Sequence, residues 1–313
     1  MMARVFAVTA VGVGLVVLGC QSRGGDVSGV GNSIISGVRQ TVNRINPDDV
    51  RGATTELDEP EEIELGRAVS SALGSRYKLL RDDPLTRYVA LVGNAVAQQS
   101  DRPDLRYYFG VLDTTEVNAF AAPGGYVFIT RGTLLLMRDE ATLAAVLAHE
   151  IGHIALRHHV ETIKTEKQAA LTKGIGASAL RVGSGYIRGA AGSAATAPLN
   201  SPLMNVLADG AFNAVLKGFS RAEEEQADAV GVKYTARAGY DPAGLRDFLR
   251  AVEDGGKQPA KSGFVAKFTA THPGTEERLR DQDNQLKTMP AGGRRAATRF
   301  EQRAMKPPSP PAR

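Results

Sequence analysis

The chain has 313 residues, 42% of them apolar, enough for one large domain or two small ones around a buried core, and this is not the makeup of a disordered protein. Its net charge of +4 is uneven: residues 289–313 carry Arg294, Arg295, Arg299, Arg303, Lys306 and Arg313 against Glu301 alone, a surplus of +5, so the remainder is near neutral. Nucleic-acid binding needs basic residues clustered on the folded part, and that class is set aside.

In chain order, Arg4 opens an apolar run from Val5 to Leu18 that closes on Val17-Leu18-Gly19-Cys20. Fourteen residues are too few to span a bilayer comfortably, so residues 1–19 read as an export signal. Cys20 is the only cysteine and has no disulfide partner within the chain. The segment resembles the lipobox of bacterial lipoproteins, which implies lipidation at Cys20 and a membrane anchor there. Gln21 in place of aspartate implies, by the same resemblance, the outer membrane facing the periplasm.

Residues 20–55 are rich in Gly, Ser, Asn and Asp and read as a flexible tether. Folded structure is expected from Asp58 and Pro60, a cap and a first-turn proline ahead of Ile63, Leu65, Val69 and Leu73. A second helix is predicted after Asp83-Pro84, with Leu85, Tyr88, Val89, Val92 and Val96 inward. Strand signals follow at Arg106 to Leu112, Val117 to Ala121 and Tyr126 to Thr130, the last two forming a hairpin across Ala122-Pro123-Gly124-Gly125. An extended polypeptide substrate can add to such a sheet edge, and Asn118 and Ala119 are the candidate substrate-binding residues.

The next stretch carries the chemistry. His149-Glu150-Ile151-Gly152-His153 lies on a predicted helix capped by Asp139, with Leu143, Val146, Leu147, Ile151 and Ile154 at helical spacing. Histidines four apart share a helix face and can bind one zinc ion, and Glu150 beside them can take a proton from a zinc-bound water whose pKa has fallen to roughly 7. His159 lies at the spacing of a third histidine ligand, but that scheme needs glycine where Leu156 stands, so the helix is expected to continue and carry His158 and His159 away from the metal.

The stretch from Lys173 to Gly192 holds six glycines and Ala197 to Pro202 two prolines, and the wider segment 165–218 is expected to be a lid or a structural hairpin. Helical spacing returns from Phe212 to Ala238. Among Glu223, Glu224 and Glu225, Glu224 is the third ligand on helical geometry, with Asp228 one turn on, placed to hold the outer nitrogen of a ligand histidine. Ala227 and Gly231 leave room for a neighbouring helix.

Together with Thr271-His272-Pro273 and Arg278, these motifs resemble the CAAX prenyl protease and HtpX-type zinc metallopeptidases, and are most similar to their periplasmic lipoprotein branch. The resemblance spans about residues 58–288. It implies an α+β, mostly helical gluzincin fold with a small antiparallel sheet beside the zinc helix, and one zinc held by His149, His153 and Glu224. It further implies endoproteolysis of misfolded or misassembled envelope proteins, with the outer-membrane protein assembly machinery as a partner class. No segment reads as a spanning helix, so prenylated substrates are not expected, and no helical-repeat region follows residue 288, so docking through such repeats is not expected either. His272 matches a family position resembling an oxyanion donor, helped by Arg278; the same ring could instead take the open zinc position and keep the enzyme latent. The expected organisation is signal peptide 1–19, tether 20–55, peptidase domain 56–288 and a disordered basic tail 289–313. A rival class, a chaperone-like lipoprotein that only holds unfolded chains, would have no use for a general base at Glu150.

Overall fold

A computed structural model describes residues 58–162 and 211–305. The expected signal peptide, Cys20, the tether and most of segment 165–218, including its glycine-rich stretch, lie outside the described residues.

Helix α1 (Glu59–Tyr77) begins on a reciprocal cap between Asp58 and Glu61, with Pro60 in its first turn. Helix α2 (Asp83–Ala97) is capped by Asp82 and buries the predicted stripe of Leu85, Tyr88, Val89, Val92 and Val96. Strands β1 (Tyr108–Leu112), β2 (Ala119–Ala122) and β3 (Tyr126–Thr130) form one sheet in the order β1-β3-β2. The hairpin is antiparallel as expected, but β1 runs parallel to β3, so the sheet is mixed rather than antiparallel. Two chain reversals, one between β1 and β2 and one at the hairpin, restore the direction of β1 in β3. Alternation then sends Val111, Ala119, Ala121, Val127 and Ile129 to one core, and Leu112, Phe120, Ala122 and Phe128 to a second core under α1.

After the short α3 (Arg131–Leu136) comes α4 (Glu140–Ala155), capped by Asp139 and buried from Ala141 to Ile154. It stops at Ala155 instead of continuing through His159. Arg157 takes a left-handed φ of 57°, its guanidinium 3.3 Å from the buried carboxylate of Glu62, and a new helical turn begins at residue 158. The helix thus ends where Arg157 meets Glu62, although its sequence could have prolonged it.

The predicted helix from Phe212 to Ala238 is two helices. Residues 211–217 form one, Gly218 breaks the chain at φ 83° where a Cβ would lie 2.0 Å from the Thr271 carbonyl oxygen, and α5 (Arg221–Arg237) follows from a Ser220–Glu223 capping box. The chain then forms α6 (Gly244–Gly256), α7 (Pro259–Thr271) and α8 (Thr275–Leu286). The sequence analysis marks no helix at α3, α6 or α7. Among the described residues, no helix is long and apolar enough to cross a membrane.

Residues 289–305 overturn the expectation of a disordered basic tail. The Arg295 carbonyl accepts the Glu140 amide at 2.9 Å, and the Arg295 guanidinium reaches Asp139, Asp241 and Asp247 at 2.8–2.9 Å. Helix α9 (Ala297–Ala304) buries Phe300 and brings Arg299 onto Glu140, which also accepts from the hydroxyls of Tyr88 and Tyr240. A charge count sees an excess of cations here; the fold has acids waiting for them at the start of α4. Burial would push the Glu140 carboxyl up, but Arg299 and the two tyrosines outweigh it and hold it below its ordinary 4.5. Arg299→Ala is expected to cost about 1–3 kcal/mol in urea unfolding. The contribution should be present above pH 4.5 and fade as acid titrates Glu140 through its lower folded value.

Candidate metal centre

One turn of α4 separates His149 from His153, and their Nε2 atoms stand 3.1 Å apart, turned toward α5. Glu224, in the first turn of α5, brings Oε2 to 3.4 Å from His149 Nε2 and Oε1 to 3.4 Å from His153 Nε2. His272, just past the end of α7, adds Nδ1 at 3.0 Å from Glu224 Oε1 and 3.4 Å from His149 Nε2. All four side chains are buried, and their ligand atoms lie within 4.8 Å of one another, a group that could hold a metal ion. The two helices approach this closely because Gly152 and Gly231 face each other's backbones: a Cβ on Gly152 would sit 3.0 Å from the Ala227 carbonyl oxygen, and one on Gly231 3.2 Å from the His149 Cα.

The outer contacts orient the cluster. His149 Nδ1 lies 2.8 Å from Asp228 Oδ1, and Arg278, from α8, binds Asp228 through Nε and Nη2 at 2.8 and 2.7 Å while its Nη1 reaches Glu224 at 2.7 Å. Burial alone would raise both acids, but His272, Arg278 and His149 keep Glu224 well below the carboxylate range, and Arg278 and His149 keep Asp228 low. Burial likewise opposes the charge on His149, yet Glu224 and Asp228 overcome it and push that imidazole up to about 9. Burial pushes His153 far down, so it stays neutral. Glu150 is fully buried with neither oxygen hydrogen-bonded, and burial raises its pKa. His272 Nε2 lies 3.9 Å from its Oε1.

Sequence reading therefore names residues that the fold brings together: His149, Glu150, His153, Glu224, Asp228, His272 and Arg278. Arg278 sits behind the donor cluster as counter-ion to Glu224, and His272 has its Nδ1 among the donor atoms rather than opposite them. Asn118 departs from its expected place. Its carboxamide is buried, accepting from the Ala119 amide and the Thr271 hydroxyl, and its main chain is turned to β3. Ladder alternation turns the main-chain groups of Ala119 and Ala121 away from β3, where the Ala119 amide donates to Asn118 and the Ala121 backbone meets His159.

His158 and His159 also contradict the expectation that they point away. With α4 broken at Arg157, His158 Nδ1 comes to 2.9 Å from His153 Nδ1 and its Nε2 to 3.0 Å from Gln226 Oε1. His159 bonds to the Ala121 backbone, and burial pushes it down to about 3. Phe219 stacks on the His153 ring, centroids 3.7 Å apart and planes 13° from parallel. Sequence reasoning misses Gln226 and Phe219 altogether. Gln226 lies only two residues from Glu224, but nothing local marks it.

The profile of peptidase family M48 matches residues 84–285, about two thirds of the chain. The chain belongs to peptidase family M48. Among its M48 relatives, the "Beta-barrel assembly-enhancing protease" of Yersinia pestis is 28% identical over 241 residues, covering 76% of this chain and 46% of that protein. The protein of the same name from Escherichia coli (strain K12) is 28% identical over 243 residues, 78% and 47% of the two chains. "Metalloprotease LoiP" of Escherichia coli (strain K12) is 24% identical over 269 residues, 86% and 91% of the two. The chain thus spans about half the length of the beta-barrel assembly-enhancing proteases it matches.

Metal uptake at this M48 cluster must displace the proton held on His149, so the apparent affinity for a divalent metal is expected to rise with pH toward about 9. Asp228→Ala should weaken that affinity by about 10–100-fold. Titration against a chromophoric chelator across pH measures both.

Proposed function

We propose that the chain is a zinc-dependent endopeptidase, with one zinc held by His149, His153 and Glu224. The donor set supports zinc: two neutral imidazole nitrogens and a carboxylate are its usual partners, and ligand atoms around a tetrahedral zinc stand about 3.4 Å apart. The neighbouring donor atoms here are 3.0–3.4 Å apart. When bound, zinc supplies Lewis acidity that polarises the scissile carbonyl and lowers the pKa of water to roughly 7.

The single observation that carries the reading is Glu150, a carboxylate buried beside the donor cluster with no hydrogen-bond partner of its own. A structural carboxylate would be satisfied there; a general base must be free to receive. Its oxygen takes a proton from the attacking water and returns it to the departing amide nitrogen, while burial raises its pKa toward the working range. Asp228 and Arg278 hold the His149 ring and the Glu224 carboxylate in place.

We assign the substrates to misfolded or misassembled envelope proteins, in line with the relatives named as beta-barrel assembly-enhancing proteases. Outer-membrane protein assembly machinery is the matching partner class, and a lipid anchor at Cys20, following a signal at 1–19 and preceding a tether at 20–55, would hold the peptidase domain at the periplasmic face of the outer membrane. The holding-only alternative leaves the unpartnered Glu150 without a role.

Glu150→Gln should keep zinc and lose nearly all casein digestion, and a chelator should do the same to the unsubstituted protein. Undiminished digestion by Glu150→Gln would sink the mechanism. His272 separates two roles. Its Nδ1 among the donor atoms favours a fourth ligand that holds activity down, so His272→Ala should raise basal digestion; a fall of about a hundredfold with zinc retained would instead support the oxyanion donor.

A further inference from the structure

The two ligand imidazoles of α4 each turn one nitrogen to the donor cluster and one outward, and the outward partners differ in kind. His149 Nδ1 faces Asp228 Oδ1 at 2.8 Å. A carboxylate only accepts, which settles the proton on Nδ1 of that ring. His153 Nδ1 faces another imidazole, His158 Nδ1, at 2.9 Å, and two imidazole nitrogens can share a proton in either sense.

The next link decides the sense. His158 Nε2 lies 3.0 Å from Gln226 Oε1. With that carbonyl accepting, His158 carries its proton on Nε2, its Nδ1 is a lone pair, and His153 must donate from Nδ1, leaving His153 Nε2 free for a metal. Turning the Gln226 amide over would reverse every link and put the His153 proton on Nε2, the atom that has to coordinate.

We propose that Gln226 and His158 form a relay that sets the tautomer of His153, which makes His158 a positioning residue of the metal site. The backbone is arranged for this. Arg157 adopts a left-handed φ of 57°, unusual for a side chain of its size, and that turn is what brings His158 back onto His153 instead of onward along α4. Helix α5 delivers the ligand Glu224 and the acceptor Gln226 two residues apart, so docking α5 completes both the donor set and the relay. Phe219, stacked flat on His153, fixes the plane in which the ring must point.

The inference rests on His153 being a zinc ligand, and its test uses the full chain. Zinc affinity is measured by competition with a chromophoric chelator, and the tautomers by imidazole ¹⁵N shifts of the metal-free protein. His158→Phe, which keeps a ring but no acceptor, should weaken zinc binding by about 10–100-fold. Gln226→Leu, which removes the acceptor, should weaken it in the same direction. The shifts should place the proton of His153 on Nδ1 and that of His158 on Nε2, a readout that needs no substitution and stands even where His158→Phe fails to fold. Unchanged zinc affinity in folded His158→Phe, or a proton on His153 Nε2, would overturn the relay alone. An unsubstituted chain that binds no zinc would overturn the metal reading and the relay with it.

Discussion

The site depends on how near α4 and α5 come to each other. Its donors arrive from separate helices, and they meet only if the two backbones close to the distance that Gly152 and Gly231 permit. A methyl group at Gly152 would meet the Ala227 carbonyl and the Val230 side chain, and one at Gly231 would meet the backbone of His149 itself. Either would require the facing helix to give way, which a close-packed core resists. Donor spacing of 3.0–3.4 Å is thus a packing result before it is an electrostatic one.

Once the helices are that close, charge becomes the problem. Glu224, Asp228 and Glu150 are all buried within one cluster, and isolated carboxylates in such surroundings are costly. Arg278 offsets two of them with a single guanidinium, forked onto Asp228 and reaching Glu224, and is itself almost wholly buried. Glu150 alone is left without a hydrogen bond. Of these three carboxylates, the one left unsatisfied is the one the proposed chemistry would use, a pattern expected where reactivity takes precedence over stability.

Both ends of α4 are tied by ion clusters from distant sequence. At its start, Arg295 and Arg299 from the C-terminal strap close on Asp139 and Glu140. At its end, Glu62 of α1 gathers Arg102 and Arg157, and also accepts the Gly124 amide from the hairpin turn. Helix α4 is thereby held lengthwise between α1 and α9, with β2 along its side, and the His149 and His153 rings have little freedom to drift from the donor cluster.

The sequence by itself determined what has a short range. Helix starts at Asp58 and Asp139, a helix following Asp83-Pro84, the β2–β3 hairpin, and the one-turn spacing of His149 and His153 follow from caps, prolines, glycines and a 3.6-residue period. Glu224 and Asp228 were legible for the same reason, since one helix turn relates them. The resemblance to a family supplied His272 and Arg278, which no local pattern marks. Tertiary structure decided the rest. The partnering of β1 with β3, the break of α4 at Arg157, the return of His158 and His159 toward the metal cluster, and the folding of Arg295 and Arg299 onto α4 each turn on a contact between residues far apart in the chain. Periodicity reports which face of an element is apolar, but it holds no information about which buried charge will stop a helix or which acid a basic tail will find.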